Sequence, residues 1–580
     1  MRLNGGDIIA MTLKNQGISH VFTLCGGHIS PILVGCKKQG LTIIDVRHEV
    51  NAVFAADAMA RLTGRPGVAV VTAGPGVTNT ITAVKNALMA QVPLILLGGA
   101  AATVIKGRGS LQDIDQLSLF KTVTKMAVSL KRSCDIIPVL EKAMTIALSG
   151  VPGPVFIECP IDLLYDPELV RKWYGKASTP GNKGDLKSRL LSWYLNRHVD
   201  AMFACDFSDM HPHDLPARVL PVPERKILRA YKAVKKTRRP VMIIGSQAML
   251  HPSGVSRLAA AVESMGIPVF LTGSARGLLG TDSAVQVHHH RREALQQADT
   301  VILAGMPCDF RLDYGRSINR KARLISVNRS RQDLYLNRRP NLAVHSDPFL
   351  FILGLAAQFT SHIMNHQAWL DELKRKDTIR EKEIVSLSGK KTEGINPLFL
   401  LRRLEEFLSD DSIIVADGGD FVASAAYILN PRNPLSWLDP GVFGTLGVGA
   451  GFAMGARCVH PEKEIWIIYG DGAAGYSLQE FDTFVRHGLP VIGLIGNDAA
   501  WSQIVRDQVE YLHDDVATSL RHSDYHLVAE GFGAKGYLLD RKEKIDSVFS
   551  SARKMAHRGT PVLINAITGT TDFRKGSVSM

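Results

Sequence analysis

Short apolar runs rich in branched side chains alternate along this chain with longer stretches dominated by Ala and Leu. Residues 67–72, 93–97 and 464–469 are runs of the first kind. Continuous apolar runs suit parallel strands buried on both faces, and the longer stretches suit the helices that join them. In the first third, a strand over 42–46 leads through Arg47-His48-Glu49 to a helix over 50–62 and a strand over 67–72. Gly74-Pro75-Gly76 then reads as a turn, followed by a helix through Ala90 and the strand 93–97. A further strand over 155–159 should end at Pro160, because proline lacks an amide donor and restricts its predecessor.

The alternation weakens between 176 and 225, where Thr179-Pro180-Gly181-Asn182 reads as a connector and 186–195 as an amphipathic helix. Trp193, Tyr194 and Phe203 there suit packing against a domain better than a membrane surface. Strands over 240–245, 267–271, 300–304 and 323–327, with a helix over 255–264, define a second α/β region. Charged residues dominate 371–383, a solvated helix or linker. The last region has strands over 412–415, 464–469 and 491–495, and a glycine-rich helix over 444–456. The expected organisation is α/β with parallel sheets flanked by helices in three domains: 1–175, a connector 176–225, 226–365, a linker 366–394, and 395–580.

With 46% hydrophobic and 21% charged residues, the chain is neither disordered nor fibrous. Its formal charge of +13 is spread among acidic residues, and no nucleic-acid-binding signature accompanies it, so no nucleic-acid partner is expected. The seven cysteines form no CxxC pair; their odd number and wide spacing predict reduced thiols and no structural zinc. No basic-then-apolar leader is evident, and no interval reaches the roughly 20 apolar residues of a membrane span.

Candidate chemistry gathers where strands end, the place open α/β sheets put ligands. Gly470-Asp471-Gly472 follows one strand and Asn497 ends the next. A carboxylate and an amide oxygen are hard ligands suited to magnesium, and glycine lets a backbone approach a diphosphate, although Gly-Asp-Gly alone is also an ordinary turn. In its context this pattern resembles the diphosphate-binding motif of thiamine-diphosphate enzymes. Arg47-His48-Glu49, the run from Val71 to Gly76 and Thr78-Asn79 resemble their pyrimidine-binding domain. The likeness spans the chain and lies in the branch of acetolactate synthases and 2-hydroxyacyl-CoA lyases. Gly26-Gly27-His28-Ile29-Ser30-Pro31 and Arg486-His487 are most like the animal acetolactate-synthase-like, 2-hydroxyacyl-CoA lyase group.

The resemblance implies a pyrimidine-binding first domain, a central domain of nucleotide type, and a last domain that binds diphosphate and magnesium. It makes Glu49 the carboxyl partner of the aminopyrimidine, with Gly74, Asn79, Gly419, Asp420, Gly470, Gly472 and Ala473 around the cofactor. Asp471, Asn497 and the Ala499 carbonyl match its metal ligands, Gly444 its backbone contact to the pyrimidine, and Leu446 the residue holding the cofactor bent. His28 and Gln112 match substrate-facing positions, His28 as an acid/base or hydrogen-bond donor; Trp501 and Arg506 are further substrate candidates.

Two departures count against a synthase: Ile161 stands where lysine is usual, and Arg506 where tryptophan is usual. Arginine there suits a phosphate or carboxylate. The expected reaction is therefore cleavage of a 2-hydroxyacyl-CoA, with condensation of two 2-ketoacids and a noncatalytic regulatory role as alternatives. The central domain could hold FAD or the ADP part of CoA, with Arg276 and Asn328-Arg329 as phosphate candidates. The family implies a homodimer or tetramer and association with the endoplasmic reticulum. By itself the sequence reads as a soluble cytoplasmic protein, peripheral membrane association left open.

Overall fold

The computed structural model describes residues 3–177, 186–205, 212–213, 219–359 and 366–575. The connector residues 179–182 lie outside the described residues. The chain forms two compact units, residues 1–60 with 65–218, and residues 61–64 with 219–580.

The first unit is built on six parallel strands: β1 (His20–Leu24), β2 (Thr42–Asp45), β3 (Gly67–Val71), β4 (Leu94–Ala100), β5 (Met126–Ser129) and β6 (Pro154–Pro160), in the order β2-β1-β3-β4-β6-β5. Strands β3, β4 and β6 are buried along their whole length, which is why β3 and β4 are continuously apolar and β6 is so except at Glu158. β5, at the sheet edge, is only partly buried and carries no such run.

The second unit holds two more parallel sheets. The central one comprises β7 (Pro240–Ile244), β8 (Val269–Leu271), β9 (Thr300–Ala304), β10 (Arg323–Asn328) and β11 (Leu342–His345), in the order β11-β10-β9-β7-β8. The last comprises β12 (Ile413–Ala416), β13 (Trp437–Leu438), β14 (Ile465–Gly470), β15 (Ile492–Asn497), β16 (Lys535–Leu539) and β17 (Val562–Ile567), in the order β13-β12-β14-β15-β17-β16. Each sheet has its own apolar core.

Several local expectations need correction. Gly74-Pro75-Gly76 is not a free turn: Gly74, at φ +62°, enters a single helical turn, Pro75–Thr78. The glycine-rich helix begins at Val448 rather than Gly444, because Gly444 and Gly447 take left-handed φ of +66° and +85° and make a loop. The amphipathic helix continues to Met202, burying Leu195, Val199 and Met202 on one face. Its Trp193 and Tyr194 point outward, 59% and 55% exposed, while Phe203 packs inward. The charged stretch is part of the helix Gln367–Ser388, whose buried Asp377 accepts the amides of His288 and His289, both at 2.8 Å. Of the two readings the helix holds, mostly exposed, and Asp377 additionally ties it to residues 288–289.

The cysteines also depart from expectation. Cys134 and Cys205 form a disulfide with Cα atoms 5.4 Å apart, although 71 residues separate them in sequence. The chain after the helix Leu186–Met202 returns to the start of the helix Ile136–Leu148, so sequence spacing was a poor guide to distance. Closing a loop of this length restricts the unfolded chain and stabilises by about 2–4 kcal/mol. Thermal denaturation of the wild type should shift to lower temperature on adding dithiothreitol, and that of Cys134→Ser should start lower and not respond. A wild-type midpoint indifferent to reductant would show that the pair contributes nothing.

Candidate active site

In the first unit the predicted residues collect beyond the carboxyl ends of β1 to β4. Glu49 starts the helix Glu49–Thr63 and is 7% exposed. Its Oε2 accepts a hydrogen bond from Asn79 Nδ2 at 3.0 Å, and His48 Nδ1 lies 3.9 Å away. A Cβ added to Gly76 would stand 3.5 Å from Glu49 Oε1 and 2.8 Å from Thr72 Cγ2, so this glycine keeps the glutamate's surroundings open. His28 follows β1, with Nδ1 3.3 Å from Thr72 Oγ1. Partial burial lowers its pKa, which favours the neutral ring at neutral pH.

Gln112, at φ +61°, lies across Gly74: a Cβ on Gly74 would approach Gln112 O to 2.8 Å. Beneath this contact is a buried polar group that sequence reasoning missed. Gln116 accepts the Gly74 amide at 2.9 Å and donates to Gly99 O and Glu158 Oε1, both at 3.1 Å. Lys106 closes the network on the fully buried Glu158. A Gln at the start of the short helix Gln116–Phe120 and a Glu within an apolar strand carry no spacing signal, so only the fold reveals their connection.

In the second unit, register sets the geometry. β14 pairs with β15 so that Gly470 faces Gly496, which places Asp471 and Asn497 at adjacent strand ends. Asp471 Oδ1 accepts the Gly472 amide at 2.7 Å, while Oδ2 is buried without a hydrogen-bond partner. Burial, then the neighbouring charge of Asp498, pushes this carboxyl up to about 7. Asn497 Nδ2 donates to Asn565 Oδ1 at 3.0 Å, so the amide is held from β17, and its Oδ1 lies 3.3 Å from His522 Nδ1. Ala499 takes a left-handed φ of +56°, and its carbonyl accepts the Leu520 amide at 2.7 Å.

The glycines around this point have several uses. A Cβ on Gly472 would enter the Trp501 ring, one on Gly470 would meet Gly418 O at 2.8 Å, and one on Gly418 would strike Leu446. Gly419, at φ +106°, precedes the helix Asp420–Ile428. Ala473 is buried in the short helix Asp471–Ala474. Asp417, just beyond β12, is buried and accepts the amides of Gly447 at 2.8 Å and Gly449 at 2.7 Å. Arg506, a substrate candidate, is paired with Asp420 at 2.6 Å, both about 15% exposed. In the central sheet, Arg329 pairs with the buried Asp347, while Arg276 lies 4.3 Å over the Trp437 ring and donates to Ala426 O. Both phosphate candidates are thus engaged within the protein.

The residues at the β14 and β15 ends fit a hard divalent cation. They combine a buried carboxylate oxygen without a hydrogen-bond partner with an amide oxygen and a nearby carbonyl. Among the described residues there is no group of three or more His, Cys, Asp or Glu able to hold a metal, so a site here must draw on amide and carbonyl oxygens.

The three-sheet architecture is that of thiamine-diphosphate enzymes. The chain belongs to the thiamine pyrophosphate enzyme family: the N-terminal TPP binding domain matches residues 3–119, the central domain 227–355, and the C-terminal TPP binding domain 417–566. It is 50% identical to 2-hydroxyacyl-CoA lyase 2 of Danio rerio, over 100% of this chain and 93% of that protein. Identity to the Homo sapiens 2-hydroxyacyl-CoA lyase 2 is 47%, over 100% of this chain and 92% of the relative. An acetolactate synthase large subunit of Mycobacterium tuberculosis is 30% identical, over 98% of this chain and 96% of its own.

An unsatisfied buried carboxylate opposes folding until a cation reaches it. Asp471→Ala should therefore leave the melting temperature of the cofactor-free protein equal or higher. It should also abolish the upward shift that magnesium and thiamine diphosphate together give the wild type. A variant that still shifts with both would exclude Asp471 as a ligand.

Proposed function

We propose that this protein is a thiamine-diphosphate- and magnesium-dependent lyase that cleaves 2-hydroxyacyl-CoA into formyl-CoA and an aldehyde one carbon shorter. The observation that carries this reading is the 50% identity to a 2-hydroxyacyl-CoA lyase 2 across the whole chain, against 30% to a synthase. In this reading the first domain binds the pyrimidine, the last binds the diphosphate, and Asp471, Asn497 and the Ala499 carbonyl hold magnesium. Gly419, Gly470, Gly472 and Ala473 border the diphosphate, and Gly444 and Leu446 the pyrimidine. Thiamine diphosphate, when bound, supplies the carbon nucleophile and accommodates the electron pair released on C–C cleavage.

The chain's own residues manage protons and orientation. Glu49, fixed by Asn79, hydrogen-bonds the pyrimidine ring and shuttles its proton. The C1–C2 bond of the substrate breaks, the hydroxyl loses its proton as the aldehyde forms, and the formyl carbon gains one. His28, neutral at rest, is assigned to the substrate hydroxyl. Gln112 orients a substrate oxygen, and Trp501 borders the reaction space. Arg506 is better read as the partner that fixes Asp420. For the nucleotide part of CoA, a cavity of about 340 Å³ at the β11 edge of the central sheet offers Lys226, Arg331 and His345. FAD remains the alternative occupant of the central domain.

A homodimer or tetramer and an association with the endoplasmic reticulum belong to the same reading. Among the described residues no helix is long and apolar enough to cross a membrane. A peripheral contact would use the outward face of the helix Leu186–Met202, where Leu190, Trp193 and Tyr194 are exposed and Arg197 lies 5.4 Å over the Trp193 ring.

With magnesium and thiamine diphosphate, mass spectrometry should detect formyl-CoA and the shortened aldehyde from long-chain 2-hydroxyacyl-CoA. Glu49→Gln should lower kcat by about 100-fold or more, in the range of lost acid–base catalysis, with folding retained by circular dichroism. Acetolactate from pyruvate, with no cleavage at any chain length, would replace this reading with a synthase. Neither product, from protein that binds the cofactor, would support a noncatalytic paralogue. In a flotation assay, Trp193→Ser with Tyr194→Ser should reduce recovery with phospholipid vesicles; unchanged recovery would remove this face from any membrane contact.

A further inference from the structure

The loop carrying Gly444 and Leu446 is held by very little of its own sequence. Gly444 and Gly447 are both left-handed, and nothing lies within 4 Å of where a Gly444 Cβ would stand. Such a segment has no intrinsic preference for one height above the sheet. What fixes it comes from the end of β12. Asp417 is 3% exposed, and its carboxylate accepts Gly447 N–H on Oδ1 and Gly449 N–H on Oδ2. These amides are the unpaired first donors of the helix Val448–Val459, and Gly447, its N-cap, has no side chain to satisfy them.

The neighbouring residue completes the seat. A Cβ on Gly418 would strike Leu446 Cδ2, so any side chain there would have to displace the leucine. Gly449 is equally restricted: its Cβ would meet Asp417 Oδ2 at 2.8 Å and Ile467 Cγ2 at 2.9 Å. One dipeptide, Asp417-Gly418, therefore clamps the loop twice, by charge at 447–449 and by shape at 446.

We propose that Asp417 is the positioning residue that sets the height of Leu446 and the Gly444 backbone against the cofactor. This rests on the reading that Gly444 and Leu446 face the aminopyrimidine. Asp417 touches no reacting atom in this scheme. It acts through the loop, and Gly418 acts with it by leaving room for the leucine. An amide cannot replace the carboxylate, because the NH2 of an asparagine side chain would meet an N–H donor where an acceptor is required.

The test compares wild type, Asp417→Asn, Leu446→Ala and the double variant. It measures the Kd for thiamine diphosphate with magnesium, kcat at saturating cofactor, and the melting temperature of the cofactor-free protein. Asp417→Asn should weaken cofactor binding and lower kcat each by about tenfold, the scale of one lost charge-assisted hydrogen bond. In the Leu446→Ala background the further loss of kcat should largely vanish, since the leucine through which Asp417 acts is gone. A lower melting temperature with unchanged Kd and kcat would overturn the inference and leave Asp417 an ordinary helix cap; fully additive losses would overturn it too. If Asp417→Asn does not fold, Gly418→Ala decides: its methyl displaces Leu446 while the carboxylate stays, and a wild-type kcat there would refute the seat. Wild type that binds no thiamine diphosphate would instead defeat the underlying reading.

Discussion

The constraint on which the candidate site depends is the register between β14 and β15. Parallel pairing sets Gly470 beside Gly496, so the residue after each, Asp471 just beyond β14 and Asn497 at the end of β15, must emerge side by side. A shift by one residue would turn one of the two to the opposite face of the sheet. The apolar, fully buried strands forbid that shift, because both faces are already committed to packing. The core of the last sheet thus holds two oxygen donors that local sequence could not hold together.

Buried polar groups do the corresponding work around this frame, each because an unpaired donor or acceptor in the interior is costly. Asn565 interrupts the apolar run of β17, yet it bonds Asn497 and also donates to Ser523 O at 2.9 Å. Glu158 interrupts β6 and is satisfied by Gln116 and Lys106, a network that reaches the Gly74 amide. Asn79 fixes Glu49, and Arg506 neutralises Asp420 within an acidic neighbourhood that includes Asp471 and Asp498. Asp471 Oδ2 is among the buried acceptors left without a hydrogen-bond partner. It stands at a strand end beside Asn497, where an amide oxygen is also at hand.

How much was legible follows from how each element is buried. β3, β9 and β14 announce themselves because both faces are covered and every position is apolar or small. β5 and β16 do not, because edge strands are partly exposed and mix polar residues in. β17 was hidden by the asparagine at 565 that interrupts its apolar run, and the two residues of β13 are too few to show any period. The Cys134–Cys205 bridge was misjudged because distance along the chain says little about distance in a folded unit.

The sequence by itself determined the alternating parallel α/β plan and the family likeness, and through that likeness it pointed to Glu49, Asp471 and Asn497 as candidates. The plan follows from hydrophobic patterning, and the likeness from motifs whose parts each lie close along the chain. Only tertiary structure decided that Gly472 is forced by the Trp501 ring, that Arg506 belongs to Asp420, and that Asp417 ties down the loop of Leu446. These pairs are brought together from separate stretches of chain by sheet register and by the need to satisfy buried charge. Neither leaves a periodic or spacing signal in the residues themselves.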